Sequence, residues 1–302
     1  MRDRLHTLDL HFQDQPGTIA AYLLRHDDGA ALIETGPGTT FPMLQARLAE
    51  HGLTPADISA VLLTHIHLDH AGAAGHLAEH GATIYAHRIG VPHLADPERL
   101  LTSAARIYGD EMERLWGEMR PVPRDQLVAL DDEDSVPLGD REALALDTPG
   151  HASHHLSYVV GNVCFTGDVG GVRIPGETHV ALPLAPPEID LGAWRDSLAR
   201  LRTAVDRRDE ARPPHFGVYD DASAHLDRLA RALDAAEAWT ADTVPPHADD
   251  EAALREAATA WMRDRAAADG VDDAAWARYE RANPSWMAAL ALRRYWKKHV
   301  AA

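Results

Sequence analysis

Cysteine is nearly absent from this 302-residue chain, which contains a single copy, Cys164. One thiol cannot form an internal disulfide, and it cannot supply the clustered thiolates of a cysteine-based zinc finger. Cys164 lies in an apolar, strand-like stretch, so we expect it to be a small buried side chain. The sequence therefore excludes a fold stabilised by internal disulfides or by cysteine-bound zinc.

Basic residues are also scarce, since the chain has 29 Lys and Arg against 47 Asp and Glu, a formal net charge of −18 with neutral histidine. Nucleic acids bind clustered Lys and Arg, and anionic membrane surfaces attract the same residues. We therefore expect a small-molecule substrate, with no nucleic acid and no membrane as partner, while a homodimer stays open. An anionic substrate would need a local positive centre such as a metal ion.

Long apolar runs are missing as well. No stretch approaches the roughly 20 apolar residues of a membrane-spanning helix, and charged residues interrupt the apolar stretches at the start of the chain, where a secretory signal would lie. The overall composition, 45% apolar and 25% charged, is typical of a globular protein with an ample core. We therefore expect a cytoplasmic protein.

The spacing of apolar residues changes along the chain. From Thr18 to Asp168, strand-like and helix-like stretches alternate, which predicts an α/β domain. Beyond residue 222, Ala-rich stretches with helical spacing continue to the end. We predict an α/β catalytic domain over residues 1–222 and an α-helical C-terminal extension over residues 223–302.

Two helical stretches carry more specific expectations. Pro245-Pro246 and Asn283-Pro284 predict breaks in the C-terminal helices. Between Val91 and Met119, an apolar stripe at helical spacing either packs on the core or forms a lid that lines a substrate cleft.

Histidine is unusually frequent, with 19 copies, and several of them follow predicted strands. The apolar run from Ile58 to Leu63 predicts a buried strand. Directly after it comes Thr64-His65-Ile66-His67-Leu68-Asp69-His70. His65 and His67 are two positions apart in an extended segment and project to the same side. Imidazole and carboxylate donors suit Zn²⁺, Fe or Mn²⁺, so this segment predicts a metal site.

Three further side chains of the same kinds occupy equivalent places. His151 ends the segment Thr148-Pro149-Gly150-His151, Asp168 follows another apolar strand, and His215 follows Pro213-Pro214. Loops that follow strands are the places where α/β scaffolds position their chemistry. We therefore expect these loops to converge on the histidine-rich segment.

These positions, in this order, resemble the metal signature of the metallo-β-lactamase superfamily, and in particular its glyoxalase II-like branch. The resemblance covers roughly residues 15–217. It implies a four-layer αββα sandwich with the site along one edge of the sheets. In that pattern the metal ligands are His65, His67 and His151 for a first ion, Asp69, His70 and His215 for a second, and Asp168 as a bridge between them.

The resemblance implies a metal-dependent hydrolase with two divalent metal ions, zinc before iron or manganese. Paired divalent ions lower the pKa of a shared water to about 7 and so supply a nucleophile at neutral pH. A metal-bridging hydroxide would cleave an ester or thioester bond of a small molecule, with Asp69 and Asp168 as the catalytic carboxylates. The segment from Thr148 to His155 favours a thioester.

Other reactions stay open. An iron-dependent, persulfide dioxygenase-like oxidoreductase would use the same ligands. A lactonase is disfavoured because Gly171 stands where those enzymes usually have tyrosine, and a phosphodiesterase is disfavoured by the charge of −18. The non-enzymatic alternative is a metal-containing binding protein that catalyses no reaction.

Four residues near the predicted ligands each have two interpretations. Glu34 stands where the family usually has aspartate, and it either orients a ligand imidazole or is structural. His155 either orients a ligand or is an ordinary polar residue at the start of a strand. Arg173 either pairs with a substrate anion or lies on the surface. Tyr219 either donates a hydrogen bond to a developing oxyanion or packs on the core.

Overall fold

The computed structural model describes residues 4–205, 210–212 and 221–301. Packing divides the chain into two compact units. The N-terminal unit comprises residues 1–147 and 154–165, and the C-terminal unit comprises residues 148–153 and 166–302. These units follow packing and not chain order, so the predicted division into 1–222 and 223–302 stays a prediction.

The first sheet of the N-terminal unit has the strand order β1-β2-β3-β4-β5-β6. Its strands are β1 Leu5–Asp9, β2 Ala20–His26, β3 Gly29–Ile33, β4 Ile58–Leu62, β5 Thr83–His87 and β6 Leu127–Leu130. The pairs β1-β2 and β2-β3 are antiparallel, whereas β3-β4, β4-β5 and β5-β6 are parallel. Parallel pairing brings the carboxyl ends of β3, β4 and β5 to one edge of the sheet.

The second sheet of this unit is antiparallel, with the order β10-β9-β8-β7. Its strands are β7 Ser135–Leu138, β8 Arg141–Asp147, β9 Leu156–Val160 and β10 Val163–Phe165. The two sheets face each other, because the ring of Tyr22 on β2 lies 5.3 Å from that of Phe165 on β10. The neighbouring side chains of β2, Ala21 and Leu23, belong instead to the core that the helices cover.

Short helices cover that other face of the first sheet. They are α1 Phe41–Glu50, α2 Leu68–Ala71, α3 Ala74–Ala78, α4 Val91–Ala95, α5 Glu98–Tyr108 and α6 Met112–Trp116. On α1, Phe41, Leu44 and Leu48 are buried at helical spacing and join this core. The apolar stripe between residues 91 and 119 packs on the same core, with Trp116 and Met119 both buried.

The C-terminal unit is mainly helical. Its elements are α7 Leu191–Val205, β11 Glu210–Arg212, α8 Ala222–His247, α9 Glu251–Ala268, α10 Asp273–Ala282 and α11 Trp286–His299. Asp250 and Asp272 begin α9 and α10 by accepting backbone N–H groups at 3.0 and 2.7 Å. No described helix combines the length and the apolar character that crossing a membrane would require.

One of the two predicted helix breaks is displaced. Asn283-Pro284 lies between α10 and α11, as predicted, because the residue before a proline disfavours helical backbone. In contrast, Pro245-Pro246 lies inside the last turn of α8, which ends at His247. The prolines therefore mark the end of α8 without interrupting it before residue 245.

Candidate metal centre

The parallel strands position the predicted ligands of the N-terminal unit. Glu34 directly follows β3, and His65 and His67 follow β4. The backbone N–H of Glu34 donates to the carbonyl of Leu62 at 3.1 Å, which joins the two strand ends. Since the carboxyl ends of parallel strands are where α/β sheets bind ligands, the sheet itself brings these side chains to one place.

A tight turn into α2 places Asp69 and His70 directly after the two histidines. The carbonyl of His67 accepts the backbone N–H of His70 at 3.0 Å, which begins the helix. Thr35 donates its N–H and its hydroxyl to the carbonyl of His70, at 2.9 and 2.7 Å. The loop after β3 and the helix after β4 are thereby held together.

His65 and His67 face each other through ring nitrogens, with His65 Nε2 at 3.0 Å from His67 Nδ1. On the other side of its ring, His65 Nδ1 is 3.1 Å from the hydroxyl oxygen of Thr64, and that hydroxyl donates to Glu34 Oε1. The Thr64 hydroxyl donates its proton to Glu34, so in the contact between Thr64 and His65 the donor is His65 Nδ1. His65 Nε2 therefore carries a lone pair, which faces His67. Two ligand atoms on one tetrahedral zinc ion would lie about 3.3 Å apart.

His70 faces a carboxylate oxygen with each of its ring nitrogens. Its Nε2 is 3.4 Å from Asp69 Oδ2, and its Nδ1 is 3.4 Å from Glu34 Oε1. A neutral imidazole carries one proton, so one of these two carboxylates faces a lone pair. Both distances exceed the roughly 2.7–3.2 Å of an ordinary N–H···O hydrogen bond. A proton or a cation is required between the lone pair and its carboxylate.

The C-terminal unit contains a third pair of this kind, between His151 and Asp168. His151 Nδ1 donates to the carbonyl of Pro183 at 2.7 Å, which leaves the lone pair on Nε2. That atom lies 3.4 Å from Asp168 Oδ2, and both side chains are buried. A lone pair and a carboxylate again face each other at the spacing of two ligands on one ion.

Helix α7 fixes the loop that carries His151. Gly150 has a φ of 138°, and a Cβ at this position would collide with the backbone of Trp194, so the loop needs glycine here. The hydroxyl of Ser197 donates to the carbonyl of Pro149 at 2.6 Å. The ring of His151 packs edge-on against that of Trp194, with 5.8 Å between centroids.

The turn that begins at Asp168 is held from two helices. Trp194 Nε1 of α7 donates to the carbonyl of Val169 at 2.9 Å, and His225 Nε2 of α8 donates to that of Gly170 at 2.7 Å. Burial lowers the pKa of His225 to about 4. His225 is therefore neutral at neutral pH, and Nε2 carries the proton that it donates to Gly170.

The residues present fit a divalent metal. Lone pairs that face carboxylates repel them, and a cation between them removes that repulsion. Glu34 Oε2 is also buried and has no hydrogen-bond partner among the described residues, an arrangement that costs free energy unless a cation or water is near. Imidazole nitrogen and carboxylate oxygen suit zinc, iron or manganese.

The backbone of Glu34 is held in an unfavourable conformation. Its φ is 66°, in the left-handed region that costs a residue with a side chain about 1 kcal/mol or more. The carboxylate that this backbone presents is shared by Thr64 and His70. Of the two interpretations of Glu34, these contacts favour the one in which it orients ligand imidazoles.

Two more histidines stand beside this group. The ring of His155 lies 5.2 Å from that of His65, and the ring of His154 lies 5.6 Å from that of His67. The motif comparison indicated His155, whereas His154 carried no signal of its own. The only signal in the sequence for His154 was its neighbour His155, because two adjacent residues just before a strand lie in the same loop.

Tyr108 and Thr64 were also missed by sequence reasoning. Burial raises the pKa of the Tyr108 hydroxyl, and the nearby charge of Asp69 raises it further. Tyr108 comes from α5, about forty residues after the motif, and no local pattern connects it with Asp69. Thr64 lies inside the motif, but its hydroxyl gains importance only because Glu34 is opposite.

Three predicted residues remain: Arg173 has partners within the C-terminal unit, and the other two lie outside the described residues. Arg173 is buried, with Nη1 at 2.8 Å from Asp221 Oδ1 and with Nε donating to the carbonyl of Glu177 at 2.7 Å. Its charge is thus partnered within the protein, and contact with a substrate stays a prediction. His215 and Tyr219 lie outside the described residues, so their roles also stay predictions.

Comparison with known proteins places this geometry in a family. The sequence profile of the metallo-beta-lactamase superfamily matches residues 14–214. The chain is 30% identical over 148 residues to the metallo-beta-lactamase fold-containing protein ST1585 of Sulfurisphaera tokodaii, which covers 46% of this chain and 54% of that protein. It is 32% identical over 143 residues to the hydroxyacylglutathione hydrolase of Xanthomonas campestris pv. campestris, which covers 47% of this chain and 42% of that enzyme. The chain thus spans about half the length of these relatives.

A solved structure extends the similarity to nearly the whole chain. The metallo-beta-lactamase family protein TTHA1429 from Thermus thermophilus superposes with a TM-score of 0.69 at 22% identity, covering 98% of this chain and 93% of that one. This confirms the predicted fold class, an α/β metallo-β-lactamase sandwich with C-terminal helices. The profile match over more than half of the sequence shows that this chain belongs to the metallo-beta-lactamase superfamily.

Proposed function

We propose that this protein is a zinc hydrolase that cleaves an ester or thioester bond of a small molecule. The proposed ligands are His65, His67, Asp69, His70, His151, Asp168 and His215, and together they would hold two ions. The observation that supports this most directly is the set of facing donor atoms, at 3.0 Å for His65 and His67 and at 3.4 Å for the two histidine–carboxylate pairs. Each matches the spacing of two ligands on one ion.

Bound divalent ions would lower the pKa of water and polarise the carbonyl oxygen of the substrate. The protein's own contribution is to hold the ligands in one protonation state and one orientation. Glu34 acts on His65 through the hydroxyl of Thr64 and on His70 directly. The carbonyl of Pro183 does the same for His151. For His65 and His151 these contacts keep the proton on Nδ1, so Nε2 is free to bind a metal.

A thioester is favoured over other small-molecule esters by the relatives. Several curated matches are named hydroxyacylglutathione hydrolase, at 26–32% identity. The name describes hydrolysis of a glutathione thioester, which agrees with the Thr148 to His155 segment.

A substrate panel combined with metal analysis tests the proposal. We expect S-lactoylglutathione and p-nitrophenyl acetate to be hydrolysed by zinc-loaded protein, and about two zinc ions per chain in elemental analysis. Asp168→Ala should lose at least one ion and most of the activity, whereas the same substitution at the exposed Asp249 should change neither. Full zinc occupancy in Asp168→Ala would contradict the bridging role. No turnover of thioester, ester, lactone or phosphodiester would refute the enzyme and favour a metal-containing binding protein.

A further inference from the structure

The carbonyl that orients His151 belongs to a short segment of the C-terminal unit, residues 179–184. His151 Nδ1 donates to the carbonyl of Pro183 within this segment at 2.7 Å. The whole segment is buried, and its backbone is irregular apart from one bridge between Ala181 and Val172. The direction of the Pro183 carbonyl is therefore not fixed by a helix or a strand, and contacts with other parts of the unit must fix it.

Helix α10 supplies two such contacts. Asn283, directly after α10, donates its side-chain amide to the carbonyl of Leu182 at 2.9 Å. Tyr279 donates its hydroxyl to the carbonyl of His179 at 2.6 Å. The two donors are four positions apart, the spacing at which residues of a helix lie on one face. Both side chains are buried, so the end of α10 holds the 179–184 segment by its backbone.

The hydrogen bond of Asn283 acts on the peptide group directly before Pro183. The carbonyl of Leu182 is part of a rigid planar peptide that includes the nitrogen of Pro183, so the amide of Asn283 fixes that plane. The proline ring in turn restricts φ of Pro183 to about −65°. One torsion, ψ of Pro183, is then left to set the direction of the carbonyl that accepts from His151.

The hydrogen bond of Tyr279 acts farther from that carbonyl. Ala181 lies two residues after the carbonyl that Tyr279 holds, and it exchanges two backbone hydrogen bonds with Val172, at 2.8 and 2.9 Å. These bonds fix the chain at Ala181 without any help from α10. Loss of the Tyr279 hydroxyl would therefore loosen the chain before Ala181 and leave the Pro183 carbonyl in place.

We propose that Asn283 is a positioning residue for His151 and acts through the carbonyls of Leu182 and Pro183. This inference rests on the proposed function, in which His151 Nε2 binds a metal ion. A ligand imidazole whose other nitrogen has a fixed acceptor keeps one tautomer and one orientation, which strengthens its bond to the metal. The end of α10 thus contributes to the metal centre through the backbone of the 179–184 segment.

The zinc affinity of full-length Asn283→Leu, measured by competition with a chromophoric chelator, tests this role. Leucine has the same branched shape as asparagine but no amide to hold the Leu182 carbonyl. We expect zinc to bind about five- to tenfold more weakly. This is less than the 10- to 100-fold loss found when a direct partner of the ligand is removed, because the Pro183 carbonyl itself remains.

A second variant and a second readout support the measurement. Asn283→Ala removes the same amide without adding an apolar branch, and it should weaken zinc binding to the same extent. In the cobalt-substituted protein, the visible d–d bands of both variants should differ from those of the wild type, because coordination geometry determines these bands. Circular dichroism of each variant checks that it is folded.

Tyr279→Phe is the matched control. It removes one buried hydrogen bond between the same helix end and the same segment, but it leaves the carbonyl of Leu182 held by Asn283. Each variant loses one such bond, so Tyr279→Phe and Asn283→Leu should both lower the free energy of unfolding in urea. Zinc affinity and the cobalt spectrum should change only in the variants of Asn283.

Three results would overturn the proposal. The first is wild-type zinc affinity in a folded variant of Asn283. The second is an equal loss of affinity in Tyr279→Phe, which would assign the effect to the docking of the whole segment. The third is a cobalt spectrum that Asn283→Leu leaves unchanged. Wild-type protein that binds no zinc would refute the proposed function as well, whereas zinc binding that does not respond to Asn283 would refute this inference alone.

Discussion

Replacing Glu34 by Gln should weaken zinc binding about 10- to 100-fold, the range found when a group that orients a metal-bound histidine is removed. Glu34 Oε1 accepts the hydroxyl proton of Thr64 and faces His70 Nδ1 at 3.4 Å. Neutralising the carboxylate converts two charge-assisted contacts into ordinary ones, a loss of about 1 kcal/mol each. The total of about 2 kcal/mol corresponds to roughly 30-fold in affinity.

A substitution at Thr64 distinguishes the contribution that Glu34 makes through His65 from the one that it makes through His70. Thr64→Val removes the hydroxyl that connects Glu34 with His65 but leaves the contact with His70. We expect a loss of about 1 kcal/mol, or roughly fivefold, and Thr64→Ser should restore the affinity. In the double variant with Glu34→Gln, the Thr64→Val substitution should cost much less than it does alone, because the two residues act on His65 as a unit.

Competition with a chromophoric chelator measures these affinities, with circular dichroism as the check on folding. Glu50→Gln is the control, since Glu50 is an exposed carboxylate at the end of α1 that pairs with Arg47 at 2.7 Å. It should bind zinc as the wild type does. Zinc affinity within twofold of the wild type in folded Glu34→Gln would refute the positioning role.

Two further predictions concern stability. His225 has a pKa of about 4 in the folded protein and 6.5 in the unfolded chain. Between these two pH values the unfolded chain binds a proton that the folded protein does not. The free energy of unfolding should therefore fall by about 2 kcal/mol from pH 7 to pH 5. His225→Gln, which keeps an N–H for Gly170 but does not titrate, should lose correspondingly less in urea denaturation at pH 5, and equal losses would contradict the linkage. Trp116→Ala should lower the free energy of unfolding by about 3–5 kcal/mol, because Trp116 is 8% exposed and stacks on Phe12 at 5.5 Å. In the same denaturation assay, a loss under about 1 kcal/mol would indicate that the side chain does not pack on the core.

The buried strands were predictable because their signal is local. The run from Ile58 to Leu63 is continuously apolar, and the structure has β4 at Ile58–Leu62. By contrast, β1 and β7 were not predicted. Both are edge strands, and β7 contains Pro137 and exposes alternate residues. A strand with one neighbour needs fewer apolar residues and tolerates proline, so its local pattern is weak.

The helix end at Pro245-Pro246 shows that the sequence predicts the exact end of a helix less well than its presence. Proline disfavours a helix interior, and the sequence predicted a break there. In the structure the prolines fall in the last turn of α8. Local propensity predicts that a helix stops near such a pair, but the residue at which it ends depends on the packing of the final turn.

The order and types of the ligands were set by the sequence alone. The ligand pattern is local: His65 and His67 alternate, an acid follows them, and His151 and Asp168 come after strands. This pattern was sufficient to predict the family and the fold class, and the comparisons confirm both. The partner that orients each ligand ring, in contrast, depends on the three-dimensional packing. Glu34 reaches Thr64 and His70 because β3 pairs in parallel with β4, with Ile33 opposite Leu62, and Pro183 meets His151 across a loop. Such contacts join residues about thirty positions apart, and no periodicity in the sequence encodes them, because the pairing of distant segments is selected by the packing of the whole core.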